Sequence, residues 1–448
     1  MAKDMSNLLQ LTALELRDRM ASGALSAAEL AEAVIARVEA REAEVGAWAW
    51  FDAAYLREQA KRLDAHRISG RPIGPLHGLP VGLKDIIDTA RIPTENGAAQ
   101  DRGRVPERDA EIVRRLRAAG AIIAGKTVTT ELAFMHPGKT RNPHAPTHTP
   151  GGSSQGSAAA VADGMVPLAV GTQTGGSVIR PASFCGVTGF KPSFGVVPRS
   201  GVLTQSPSLD TIGVFAADPL SAAMLTDVLA GGDPADPGSV DAPAPRLAAT
   251  ASEAPPLKPV FAMLRMPGWE RVSEDMSAAL GELSEALGDQ AFSAELPAPF
   301  EAAAEVREQI NFAEMAHHYA GYDPAHLSDE TRAALETGQA VMASRYLAAL
   351  DWKSRITGAL DEIFLRCDAI ICPSSPGAAP EGLGQTGDPV FNGLWTMAGT
   401  PAVSLPVLTS SGGLPMGLQL VGRRGNDGRL LRTARWLYDW IGGEGDSA

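Results

Sequence analysis

The chain has 448 residues, 44% hydrophobic and 20% charged, which is the composition of a soluble globular protein with ample apolar material for a core. A formal net charge of −13 argues against a general polyanion-binding surface, which needs clustered Lys and Arg, and leaves room only for a local basic patch. Three cysteines without a C-x-x-C pair argue against a disulfide framework and predict a reducing, cytoplasmic location, and no stretch reaches the ~18 apolar residues of a membrane span.

In chain order, the N-terminal MAKDMSNLLQ lacks the apolar run of a signal peptide. Thr12 with Glu15, and Ser26 with Glu29, read as capping boxes that open two helices, the first ended by Gly23. A third helix is predicted over 52–65, which makes 8–65 an N-terminal helical segment. From Arg71 short apolar runs alternate with Gly- and Pro-rich turns, and AEIVRRLRAAGAIIAGK reads helix, stop, buried strand. That alternation extends over 71–230 and predicts βα units. Residues 231–258 are rich in Pro, Ala and Asp and read as a surface connection within one domain. From 259 to 448 the pattern gives a strand at VFAMLRM, helices over 274–366, further strands at CDAIICP, PAVSLPVL and GLPMGLQLVG, and a closing amphipathic helix. The predicted fold is a single α/β/α domain over 1–448, with a large mixed, mostly parallel twisted sheet under helices on both faces.

Three motifs carry chemistry. TGGS at Ser177 puts glycines ahead of a hydroxyl, so that the N–H groups of Thr174, Gly175, Gly176 and Ser177 are able to converge on one oxygen, as an oxyanion hole requires. Alone it reads more readily as a glycine-rich turn without chemistry. PGGSS places Ser153 24 residues earlier, where a linker or a helix cap is the plain alternative. GLPVGLKD puts Lys84 at the end of an apolar run; burial there would lower its pKa towards that of a base, and an ion pair with Asp85 or Asp88 is the alternative. His144 and His148 are four apart, but Pro146 between them speaks against a chelating helix. No G-x-S-x-G, H-E-x-x-H or Walker motif occurs.

Taken jointly, Lys84, the GGSS of Ser153 and the GGS of Ser177, together with CGVTGFKPSFGVVPRSGV, SLDTIG and GLPMGLQLVGRRGND, resemble the amidase signature family over most of the chain. The resemblance implies a Ser-cisSer-Lys hydrolase. Ser177 matches the nucleophile, Ser153 the bridging serine that follows a cis peptide bond, and Lys84 the base behind it. Ser154, Thr172 and Gln173 match supporting positions. The chain departs from the commonest pattern at Gln155, and at Gln173 where many members carry Asp. With SVIRPAS, Gln173 is closest to the bacterial malonamidase-like and urethanase-like stand-alone amidases, a branch in which Arg180 would read a substrate carboxylate; a structural guanidinium is the rival view of Arg180. The implied activity is cleavage of small amides, anilides or carbamates, with some esters, through an acyl-enzyme and without metal or cofactor. A malonamate-type amidase and the A component of a tRNA-dependent amidotransferase are the alternatives. The expected protein is a monomer or homodimer with no nucleic-acid or membrane partner. Its pocket is expected to be apolar and built by 129–150, 198–210, 305–322 and 373–396, with Phe134, Met135, Leu203, Ile310, Phe312, Met315, Trp395 and Met397 as candidates.

Overall fold

The N-terminal helices begin where side chains replace missing backbone partners. Thr12 accepts from the Glu15 N–H and the Glu15 carboxylate accepts from the Thr12 N–H at 2.7 Å, opening Ala13–Ala21. The same reciprocal pair at Ser26 and Glu29 opens Ala27–Val45. That helix ends at Gly46, whose φ of 64° suits a residue without Cβ. Asp52 caps the third helix, Ala53–Ile68. The computed structural model describes residues 8–241, 243–296 and 298–443; MAKDMSN, on which part of the leader reading rests, lies outside them.

Among the described residues eleven strands form one sheet: β1 Trp48–Phe51, β2 Pro80–Lys84, β3 Ile122–Thr127, β4 Leu168–Gln173, β5 Thr188–Lys191, β6 Thr211–Ala216, β7 Phe261–Arg265, β8 Ala291–Glu295, β9 Ala369–Pro373, β10 Ala402–Thr409 and β11 Pro415–Val421. Their order is β1-β3-β2-β4-β6-β5-β10-β11-β9-β7-β8. The sheet is mixed, as expected, but mostly antiparallel rather than mostly parallel. β2 pairs in parallel with β3 and β4, and β7 with β8 and β9. Helices Glu111–Ala118 and Gln155–Ala162 lie on the chain's path between β2, β3 and β4, as parallel pairing requires. The remaining pairings are antiparallel, including β4 with β6 and the hairpin of β10 with β11. That hairpin turns at Gly413, φ 80°, with no helix between its strands. The alternation of helix and strand that favours parallel pairing therefore does not carry through to the C-terminal strands.

Side chains alternate between two cores, as a pleated strand buried on both faces dictates. Phe261, Ala369 and Ile371 enter one core with the N-terminal helices, whereas Ala262, Leu264, Ile370 and Cys372 enter a second with Ala303–His318 and Ala343–Phe364. The Pro-rich stretch 231–258 is more anchored than its composition suggests. Asp236, nearly buried, pairs with Arg199 at 2.8 Å, and the short helix Leu247–Ser252 buries Leu247 and Ala251.

Candidate active site

β2 and β4 run side by side in the same direction, so Lys84 and the segment Thr172–Gln173 emerge together at their carboxyl ends. Lys84 is fully buried. Its Nζ donates to Ser153 Oγ at 2.6 Å and to Thr172 Oγ1 at 2.8 Å. The ion-pair alternative does not hold: Asp85 lies 3.8 Å from Lys126, and Asp88 pairs with Arg104 at 2.7 Å. Burial lowers Lys84 from 10.5 to about 7, against a smaller opposing pull from Asp210.

Ser153 precedes the helix Gln155–Ala162, and the Gly152–Ser153 peptide bond is cis. Ser154 Oγ donates to the Thr172 carbonyl at 3.1 Å and accepts from the Thr172 N–H at 3.2 Å, tying this turn to β4. Gln155 Oε1 accepts from the Gly138 N–H at 2.7 Å, which gives that unusual glutamine a structural place.

Ser177 is 8% exposed and lines a cavity of about 550 Å³. Among the described residues its Oγ makes no hydrogen bond, so Ser177 and Ser153 are not joined in this structure; such bonds are commonly long before substrate arrives. The N–H groups of Gly175, Gly176 and Ser177 donate to none of the described residues. Thr174 Oγ1 donates to Asp210 Oδ1 at 2.5 Å. Gln173, fully buried, shapes the turn: its Oε1 accepts from the Val178 and Ile179 N–H groups at 2.9 and 3.0 Å, and its Nε2 donates to Thr396, which donates to the Gly175 carbonyl. A Cβ on Gly176 would stand 2.4 Å from Asn392 Oδ1, so only glycine fits there.

Arg180 lies in the same wall, 2% exposed. Its Nη2 donates to the Gly152 carbonyl at 2.8 Å and to Thr386 Oγ1 at 3.1 Å, while Nε and Nη1 have no partner among the described residues. Both views of this arginine thus retain support.

Sequence reasoning missed Asp210. It accepts from Thr174 and from the Gln205 and Ser206 N–H groups at 2.9 and 2.8 Å, and burial raises it to about 6. The SLDTIG motif carries that residue without revealing a role. Sequence reasoning also missed Arg307, Thr396 and Asn392, whose neighbours in space are far away in sequence. The pocket expectation of a mostly apolar lining agrees with the cavity, but several of the residues named for it need correcting. Phe134, Met135 and Phe312 do line the cavity, but Ile310, Met315, Trp395 and Met397 are core, and Leu203 faces a second cavity of about 440 Å³. Segments 266–271 and 300–304 join the lining, and Arg180, Arg271, Arg307, Glu301 and Asp388 add charged groups to a surface that is still mostly apolar. Helical spacing alone cannot tell a pocket-facing side chain from a core one, because both leave the helix on its buried side. No cluster of His, Cys, Asp and Glu suited to a metal occurs among the described residues.

Comparison with known proteins matches residues 29–431 to the Amidase family. The chain is 32% identical to the A component of the glutamyl-tRNA(Gln) amidotransferase of Synechococcus sp. (strain WH7803), over 94% of this chain and 95% of that protein. Among solved structures it resembles, at TM-score 0.89 and 27% identity, a chain described as part of a vestigial protein complex revealing the origins of an s-triazine catabolic enzyme, covering 96% of this chain and 98% of that one. The peptide amidase of Stenotrophomonas maltophilia follows at TM-score 0.83 and 28% identity, with 96% of each chain covered. With the family matched along nearly its whole length, this chain belongs to the amidase signature family, whose hydrolases act on carbon–nitrogen bonds.

Proposed function

We propose that the protein cleaves the C–N bond of a small amide by acyl transfer to Ser177. The observation that carries this reading is the buried Lys84 amine 2.6 Å from Ser153 Oγ, held near a pKa of about 7 by desolvation. In the neutral amine one N–H serves Thr172 and the lone pair is left for the Ser153 hydroxyl to donate to. As Ser177 Oγ attacks the carbonyl, Ser153 Oγ takes the Ser177 proton and passes its own to Lys84 Nζ. The N–H groups at Thr174, Gly175, Gly176 and Ser177 receive the oxyanion. The proton returns to the leaving nitrogen, the C–N bond breaks, and water releases the acyl group by the same route. A mostly apolar lining with charged groups among it suits small amides, anilides or carbamates, with esters as secondary substrates.

Two settings fit this chemistry, and the comparisons pull apart. The sequence relatives are named as A components of an amidotransferase for glutamyl-tRNA(Gln), which favours a role in a complex that passes the freed nitrogen to an acceptor. The peptide amidase and the hydrolase of a 6-aminohexanoate cyclic dimer among the structural neighbours favour a hydrolase working alone, as does the net charge of −13, which weighs against a general polyanion-binding surface. Assay of the purified single chain decides. Ammonia release from simple amides without other proteins supports the free-standing hydrolase. Activity only with partner proteins assigns the amidotransferase role, and absence of turnover in both refutes the acyl-transfer reading.

A further inference from the structure

Gln205 stands where two cavities meet. With Ala133 and Thr174 it lines both the 550 Å³ cavity that holds Ser177 and the 440 Å³ cavity beside it. Gln205 is 3% exposed, and its Nε2 donates to Asn311 Oδ1 at 3.0 Å. That bond commits one end of the carboxamide. The other end, Oε1, has no hydrogen-bond partner among the described residues.

The turn that carries Gln205 is held from both sides. The N–H groups of Gln205 and Ser206 donate to Asp210 Oδ2 at 2.9 and 2.8 Å. Asp210 Oδ1 accepts from the hydroxyl of Thr174, the first residue of the TGGS run that ends at Ser177. On the other side Glu314, from the helix Ala303–His318, accepts from the Ser206 hydroxyl and, at 2.5 Å, from Ser208 Oγ. Gln205 therefore belongs to the same fixed frame as the turn that receives the oxyanion. A buried acceptor left unmet in such a frame is costly unless a bound group donates to it.

We infer that Gln205 is a specificity-determining residue: its Oε1 accepts the N–H of the scissile amide and so favours amides over the matching esters. This rests on the acyl-transfer reading of Ser177. The substrate carbonyl oxygen is taken by the N–H groups at 174–177, which leaves the amide N–H as the donor beside it. An ester carries no hydrogen at that position, so Oε1 stays unmet. As Ser177 attacks, the nitrogen becomes pyramidal. Holding its N–H on Gln205 leaves the nitrogen lone pair for the returning proton, after which the C–N bond breaks.

The test compares butyramide with methyl butyrate in the full chain carrying Gln205→Met, which keeps the length of the side chain and removes the acceptor. The ratio of kcat/KM, amide over ester, should fall roughly 10-fold or more. Equal losses on the two substrates would mark Gln205 as structural and overturn the inference while leaving acyl transfer intact. Calorimetry in the Ser177→Ala background separates binding from turnover. Butyramide binding that weakens in Ser177→Ala/Gln205→Met, with methyl butyrate unaffected, supports the assignment even if neither substrate is hydrolysed; unchanged butyramide binding overturns it. Should Gln205→Met not fold, Gln205→Asn retains a carboxamide and draws the acceptor back by one methylene. The amide-to-ester ratio should again fall, and a wild-type ratio would overturn the inference.

Discussion

Replacing Lys84 by Met keeps the volume of the side chain and removes the ionisable group. The depression of Lys84 from 10.5 to about 7 amounts to roughly 5 kcal/mol of ionisation free energy. Between those two pH values the unfolded chain holds a proton on Lys84 that the folded chain has released. Folding stability therefore rises with pH across that window. From pH 6 to pH 9 the gain from this one residue is roughly 3 kcal/mol. Lys191, at about 7, and Lys126 and Lys353, at about 8, titrate in the same range, but all are present in both proteins. Urea denaturation of wild type and Lys84→Met from pH 6 to pH 9 should thus give curves whose difference changes by roughly 3 kcal/mol, wild type gaining as pH rises. In the same buffers, wild-type kcat/KM for an amide should climb through pH 7 and level near pH 8, roughly one unit above the value at which Lys84 becomes neutral. Parallel stability curves, together with a rate still climbing towards the pKa of a free lysine, would refute the buried neutral amine.

Ser153→Ala should lower kcat by roughly a thousandfold or more with KM and the circular dichroism spectrum little changed, because it breaks proton transfer and not binding. In Gly176→Ala the new Cβ meets Asn392 at 2.4 Å, so kcat should fall and urea denaturation should register a loss of about 1–3 kcal/mol; adding Asn392→Ala should recover part of both. Asp210→Asn removes the carboxylate that fixes Thr174 and raises Lys84. Its kcat should drop, and the acidic limb of its kcat/KM profile should move to lower pH; a limb at the wild-type position would show that Asp210 does not act on Lys84.

Local signals are legible where chemistry and neighbours lie close in sequence. The capping boxes at Thr12 and Ser26 need only residues three apart, and both form. Lys84 stands out because a lysine ending the apolar run GLPVGL has few reasons to be there. The roles of long-range partners are not legible. Asp210 reaches Thr174 from 36 residues away, and Thr396 reaches Gln173 from more than 200. Strand direction escapes the sequence for a similar reason. The turn at 410–414 that makes β10 and β11 antiparallel looks, in sequence, like any of the Gly-rich turns that precede helices. The charged groups in the pocket wall, among them Arg271, Glu301 and Arg307, come from segments whose approach to Ser177 is set by packing of the second core.

Every step proposed for the reaction depends on Ser177 as the attacking atom. Treating the protein with a fluorophosphonate and mapping the adduct by peptide mass spectrometry tests this directly. One adduct on Ser177, slowed in Lys84→Met and absent with all amide turnover in Ser177→Ala, is the predicted result. Labelling at another residue, or amide turnover that survives Ser177→Ala, would contradict it.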